Sequence, residues 1–260
     1  MDDLLGLNNK TAMVWGGGAG MGEATATRLA QAGCRVAVID RDLAPAERVA
    51  AALRERGYSA TAIEADATVE TEVDAAVAAT EARLGPVDLM ATVIGIGVWS
   101  TLLDMTDEQW HDAHRLNLTS FFLPARAAAR SMVQGGRPGA IVSVASVSGL
   151  TSAPNHGGYG AAKAGLVNLV RTMAVEWGPA IRVNAIAPGA IATPRVQMPD
   201  AALEVMKQRF PLGRPGSTDE IAKTALFLLS DLSSYITGHT LPVDGGWTST
   251  FLMNASGPAR

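Results

Sequence analysis

Tyr159 and Lys163 carry the strongest chemical signal in this chain. In Tyr159-Gly160-Ala161-Ala162-Lys163 they stand four residues apart, which puts both side chains on one face of a helix. A free tyrosine titrates near ~10, too high for a base at neutral pH. A neighbouring ammonium favours the phenolate. Bringing the phenol to ~7 takes about 4 kcal/mol of differential stabilisation, which nearby cations in a poorly solvated cleft can supply. Thirteen residues upstream, Ser146 follows the apolar run Ile141-Val142-Ser143-Val144. At the carboxyl end of a strand its hydroxyl could hold a substrate oxygen beside the phenol. Taken singly, each has a plainer explanation: surface Tyr–Lys pairs are common, and so are serines after strands.

A second cluster lies near the start. Trp15-Gly16-Gly17-Gly18-Ala19-Gly20-Met21-Gly22 separates an apolar run from a helical stretch. Glycines at 16, 20 and 22 allow a tight turn, and unpaired amides at a helix start favour a pyrophosphate. Asp40 ends the next apolar run, 18 residues beyond Gly22, close to the spacing of an acid that binds an adenosine ribose. Its carboxylate would repel a 2′-phosphate by about 4 kcal/mol per unit charge at ~4 Å and an effective dielectric near 20. That favours NAD over NADP. Arg41 next door could pair with such a phosphate, and Asp40 could simply cap a strand.

These residues need a scaffold. Strands are expected at Thr11–Val14, Arg35–Ile39, Ser59–Glu64, Val87–Val93, Ala140–Val144, Arg182–Ala187 and Thr240–Val243. Helices are expected at Gly22–Ala32, Ala44–Arg56, Thr71–Leu84, Trp110–Gln134, Tyr159–Trp177 and Thr218–Leu229. Such alternation implies right-handed βαβ units and a parallel sheet covered on both faces, an α/β architecture. No composition shift marks a boundary, so one domain over 1–260 is expected. The stretch 188–216 holds five prolines. A linker is one reading, but the sheet pattern resumes beyond it, which favours a loop over the site.

Composition narrows the function classes. With 48% apolar and 18% charged residues, the chain can bury a sizeable core. A net charge of −4 with scattered basic residues argues against nucleic acid or an anionic membrane as partner. One cysteine, Cys34, excludes an intramolecular disulfide and fits a reducing compartment. No signal peptide or membrane-length apolar run is visible, so a cytoplasmic location is expected. His111, His114 and His239 show no ligand spacing, and no metal is expected.

Together Gly16, Gly20, Gly22, Asp40, Asn117, Ser146, Tyr159, Lys163 and Pro188-Gly189 resemble the short-chain dehydrogenase/reductase family, from Thr11 to Val243-Asp244-Gly245-Gly246. The resemblance implies a single Rossmann-type domain with a seven-stranded parallel sheet, a homotetramer or homodimer, and an NAD-dependent interconversion of a secondary alcohol and a ketone. It implies Tyr159 as acid–base, Lys163 as its partner and a ribose ligand, Ser146 as the substrate-oxygen ligand and Asn117 in a proton relay. It also implies cofactor contacts at Gly18, Ala19, Met21, Asp66, Ala67, Gly95, Ile191 and Thr193. A 3-oxoacyl-thioester reductase and a non-catalytic dinucleotide sensor are the alternatives. Two positions depart from the family pattern: Trp15, where a threonine usually stands, and Thr92-Val93-Ile94, where Asn-Asn-Ala is usual. Apolar contacts between Trp15, Val93 and Ile94 are expected to replace a polar brace.

The expected substrate wall is Val98, Trp99, Ala153, His156, Ile191, Val196, Met198, Met206 and Phe210. It is mostly apolar, as suits an alicyclic, aromatic or steroid-like alcohol. The apolar tail Trp247–Met253 is expected to dock across a subunit interface.

Overall fold

In the computed structural model, residues 3–193 and 199–249 are described, without the side chains of residues 202 and 209. Strands β1 (Thr11–Trp15), β2 (Arg35–Asp40), β3 (Ala60–Glu64), β4 (Val87–Thr92), β5 (Gly139–Val144), β6 (Ile181–Pro188) and β9 (Thr240–Val243) form one seven-stranded sheet in the order β3-β2-β1-β4-β5-β6-β9. Every pairing in it is parallel. The short strands β7 (Ile191–Ala192) and β8 (Gly216–Ser217) pair separately.

Helices cover both faces, which is why the central strands read as unbroken apolar runs. Against one face, α1 (Gly20–Gln31), α2 (Leu43–Glu55) and α8 (Thr218–Leu229) enclose Val14, Val36, Val38 and Val142. Against the other, α3 (Glu70–Leu84), α5 (Ser120–Gln134) and α6 (Gly157–Trp177) enclose Met13, Trp15, Met90 and Ile141. Chain order reverses at β1, which lies between β2 and β4. Such a reversal opens a crevice at the carboxyl ends of the strands, where open α/β sheets bind ligands.

Two expectations needed correction. The helix expected over Trp110–Gln134 is three pieces: α4 (Asp107–His114), a π-turn (Arg115–Thr119) and α5. Pro124 lies inside α5 and has no amide to offer the Ser120 carbonyl, which loosens the ladder at that junction. The Ser120 hydroxyl donates to Leu116 O at 2.8 Å within the turn. The 188–216 stretch is less irregular than its prolines suggest, because it contains β7, β8 and a further helix, α7 (Asp200–Arg209).

Candidate active site

The crevice gathers Ser146, Tyr159 and Lys163. Ser146 follows β5 in extended conformation and caps the short 3-10 turn Val147–Gly149, accepting from Ser148 N at 3.1 Å. Tyr159 lies in the first turn of α6 and Lys163 one turn on. Three glycines let the neighbouring loops approach that helix start. A Cβ on Gly157 would lie 2.5 Å from Leu102 Cδ2, one on Gly158 3.1 Å from Met105 Sδ, and one on Gly160 2.7 Å from Ala153 Cβ.

The electrostatics differ from expectation. Burial raises the Tyr159 phenol above its ordinary 10.0, and only the hydrogen bond from Ser146 pulls it down. Lys163 makes its hydrogen bonds to backbone carbonyls rather than to the phenol. Its Nζ donates to Val144 O at 2.9 Å and Ile94 O at 3.0 Å, and lies 5.8 Å from the centre of the Tyr159 ring. Burial lowers that ammonium from 10.5 to about 7, because the charged form loses its water. The chain's own groups therefore keep the phenol protonated.

Asn117 is fully buried in the π-turn. Its amide nitrogen donates to Ile96 O and Ala113 O, both at 2.9 Å, and its oxygen accepts from Ile96 N at 2.9 Å. The side chain thus pins the loop after β4. A Cβ on Gly95 would lie 3.4 Å from Lys163 Nζ and 3.6 Å from Asn117 Oδ1, so Gly95 sits close above both.

At the neighbouring mouth, the N-terminus of α1 has Ala19 as its cap, with no side-chain acceptor for the first amides. Those amides suit an anion. A Cβ on Gly22 would lie 1.9 Å from Gly16 O, which only glycine permits, while Gly20, at φ +58°, faces open space. Met21 is half-buried beside them. Gly18 N donates to Asp40 Oδ2 at 3.0 Å, so the acid hangs directly over the turn. Arg41 is exposed and 3.6 Å from Asp42. Asp66 holds Thr68 through Oδ1, at 2.7 Å from both its amide and its hydroxyl, and Ala67 is buried behind it. Pro188 ends β6, Gly189 N donates to Val243 O at 3.1 Å, and Ile191 is buried in β7 with Thr193 two residues on. A dinucleotide fits this cradle of bare amides, glycines and one carboxylate.

On the substrate side, Trp99 packs tilted against His156 with ring centres 4.3 Å apart, and His156 lies 5.5 Å from the Tyr159 ring. Ser100 N donates to Asn155 O at 2.8 Å, tying the two loops together. Val98, Ala153 and Met206 are half-buried and Phe210 is buried. Val196 and Met198 fall outside the described residues.

Trp15 is buried in the apolar cluster that Ile94 packs against, as expected, while Val93 packs against the cluster on the opposite face. Among the described residues Trp15 Nε1 has no hydrogen-bond partner. Ile94 Cγ1 also approaches Gly16, 3.1 Å from where a Cβ would be. The sequence reading missed Ile94 as a backbone ligand of Lys163, and also the Asp244–Trp247 turn. That turn was signalled by two glycines before a tryptophan. Trp247 stacks on Phe210 of its own chain at 5.2 Å, and residues 250–253 of the tail fall outside the described residues. Among the described residues no group of three or more His, Cys, Asp or Glu gathers as a metal would require, and no helix is long and apolar enough to cross a membrane.

The sheet, the crevice and the cradle define a nicotinamide-linked oxidoreductase on a Rossmann-type fold. Residues 16–248 match the family model described as enoyl-(acyl carrier protein) reductase. The chain is 36% identical to 2-(S)-hydroxypropyl-CoM dehydrogenase 3 of Xanthobacter autotrophicus, over 94% of this chain and 98% of that protein. It is 38% identical to a 2,5-dichloro-2,5-cyclohexadiene-1,4-diol dehydrogenase of Sphingobium indicum, over 96% and 100%. A crystal structure of a short-chain type dehydrogenase/reductase from Mycobacterium marinum superposes with a TM-score of 0.87 at 34% identity, covering 95% of this chain and 98% of that one. The chain belongs to the short-chain dehydrogenase/reductase family.

Proposed function

We propose that this chain is an NAD-dependent dehydrogenase of hydrophobic secondary alcohols, one domain over 1–260 with the 188–216 segment above its site. The observation that carries the reading is the placement of Tyr159 one helical turn before the buried Lys163 in α6, with the Ser146 hydroxyl close enough to the phenol to favour its ionisation. NAD, held by the Gly16–Gly22 turn and Asp40, would supply the acceptor for the carbinol hydride and a positive ring that favours the phenolate. Tyr159 then takes the hydroxyl proton, and gives it back when a ketone is reduced. Ser146 donates to the substrate oxygen and keeps it beside the phenol. Lys163 is anchored by the Val144 and Ile94 carbonyls, which hold its Nζ 5.8 Å from the centre of the Tyr159 ring. Asn117 fixes the loop that supplies the Ile94 carbonyl.

Asp40 supports NAD over NADP. Its carboxylate stands over the glycine turn, and both neighbouring arginines are offset by acids, Arg41 by Asp42 and Arg48 by Glu23. The substrate wall built on Trp99, His156 and Met206 suits an alicyclic ring, in keeping with the relative named for a cyclohexadiene diol. A 3-oxoacyl-thioester reductase is the second reading, favoured by 35% identity over 93% of the chain to the 3-oxoacyl-[acyl-carrier-protein] reductase FabG of Pseudomonas aeruginosa, and Asp40 weighs against the NADPH such a role usually takes. A non-catalytic sensor would have no use for the Ser146–Tyr159–Lys163 arrangement. Exposed apolar side chains at Leu103, Val175 and Tyr235 support a homotetramer or homodimer, and the acidic balance supports a cytoplasmic enzyme of small molecules. The test is NADH formation across a panel of cyclic secondary alcohols, run in parallel with NADP. Faster turnover with NADP would refute the cofactor assignment, and NAD binding without any turnover would favour the sensor.

A further inference from the structure

One short segment touches both ends of the substrate-side stretch. At its start, Gly189 N donates to Val243 O at 3.1 Å, and a Cβ on Gly189 would lie 2.8 Å from Asp244 Cα. At its end, Leu212 N donates to Gly245 O at 3.1 Å, and a Cβ on Gly246 would lie 2.7 Å from Pro211 Cγ. Gly245 and Gly246, at φ +66° and +87°, take a backbone shape open to glycine. Asp244 fixes it, its Oδ1 accepting from Gly246 N at 2.9 Å and its Oδ2 from Thr248 N and hydroxyl at 2.8 and 2.6 Å. Trp247 follows, with its ring stacked on buried Phe210 at 5.2 Å and 23°. Phe210 closes α7, its amide donating to Met206 O at 2.9 Å.

We infer that Trp247 is a positioning residue, holding the carboxyl end of α7 and the Met206 wall in place through the Phe210 ring. The claim rests on the proposed function only in calling that wall a substrate wall. Trp247 is 43% exposed, so shortening it uncovers Phe210 without opening the sheet's core. The glycine turn and Asp244 remain to hold the backbone, so the change loosens α7 rather than the cofactor cradle.

The test uses the full chain with Trp247→Ala and Trp247→Phe. Tryptic cleavage after Lys207 and Arg209, at the carboxyl end of α7, should quicken about tenfold in the alanine variant, the worth of one aromatic pair, and return to the parent rate in the phenylalanine variant. NADH affinity, read by fluorescence titration, should stay within about twofold, and the KM for a reacting cyclic alcohol should rise more than kcat falls. Unchanged cleavage in Trp247→Ala would overturn the inference. If that variant fails to fold, hydrogen exchange of the parent chain decides. Shared protection of the Phe210, Leu212 and Trp247 amides supports the clamp, and independent exchange refutes it. Failure of NADH to bind the parent chain would defeat the proposed function while leaving the proteolysis result to judge the clamp.

Discussion

Lys163 Nζ donates to the backbone carbonyl of Ile94 at 3.0 Å, so a residue whose side chain departs from the family pattern still serves the site through its main chain. This arrangement fixes a pH dependence of stability. Burial brings the ammonium from 10.5 to about 7, so between those values the unfolded chain holds a proton that the folded protein has released. The stability this group contributes is complete above about 10.5 and is lost as pH falls through about 7, with a slope of at most about 1.4 kcal/mol per pH unit. The urea midpoint should therefore rise from pH 7 to pH 9, and Lys163→Met should flatten that rise. An identical slope in the variant would remove Lys163 as its source.

Tyr159 shifts the other way, raised by burial and partly relieved by Ser146. Alcohol oxidation needs the phenolate, so its rate should climb with pH above neutrality as the phenol ionises. Tyr159→Phe should cost on the order of 10²–10⁴ in turnover, the usual worth of a placed acid–base, with NADH affinity little altered. Steady-state rates beside a fluorescence titration decide it, and turnover undiminished in the variant would end the acid–base assignment.

The framework was legible because its signals are local. Val36, Ala37, Val38 and Ile39 are all buried, and a strand covered on both faces must be apolar throughout. The positions of Gly16, Gly20 and Gly22 likewise follow from backbone geometry, which only glycine satisfies. The π-turn was not legible, since the apolar spacing from Trp110 to Gln134 suits one helix and Pro124 acts several residues from the break. Nor was the direction of the Tyr159 shift. A separation of four puts Lys163 on the right face, but the ammonium's aim depends on the Val144 and Ile94 carbonyls, which belong to distant strands. Five prolines obscured α7, and its link to Trp247 spans residues far apart in the chain.

Asp40 should govern which dinucleotide is used. Its carboxylate is held by Gly18 N at 3.0 Å, where a phosphate on the ribose would meet like charge. Asp40→Ser removes about 4 kcal/mol of repulsion at an effective dielectric near 20, of which solvent will screen part. The ratio of kcat/KM for NAD over NADP should fall by about a hundredfold or more. An unchanged ratio would move cofactor selection elsewhere.

The row of side chains across the centre of the sheet makes a further prediction. Trp15 is in register with Thr92, and Thr92 with Ser143, so the three lie side by side on the α5–α6 face. Each is buried, and among the described residues Trp15 Nε1, Thr92 Oγ1 and Ser143 Oγ have no hydrogen-bond partner. A buried polar group left unpaired costs about 1–3 kcal/mol. Thr92→Val keeps the side chain's shape and removes the hydroxyl, so it should stabilise the protein by about 1 kcal/mol, a rise of about 2–4 °C in Tm. Ser143→Ala should act in the same direction, more weakly because it also leaves a small void. Because the two side chains are neighbours, the double variant should fall short of the sum. Calorimetry on the three variants checks this, and a clear loss of stability in Thr92→Val would show that the hydroxyl has a partner it depends on.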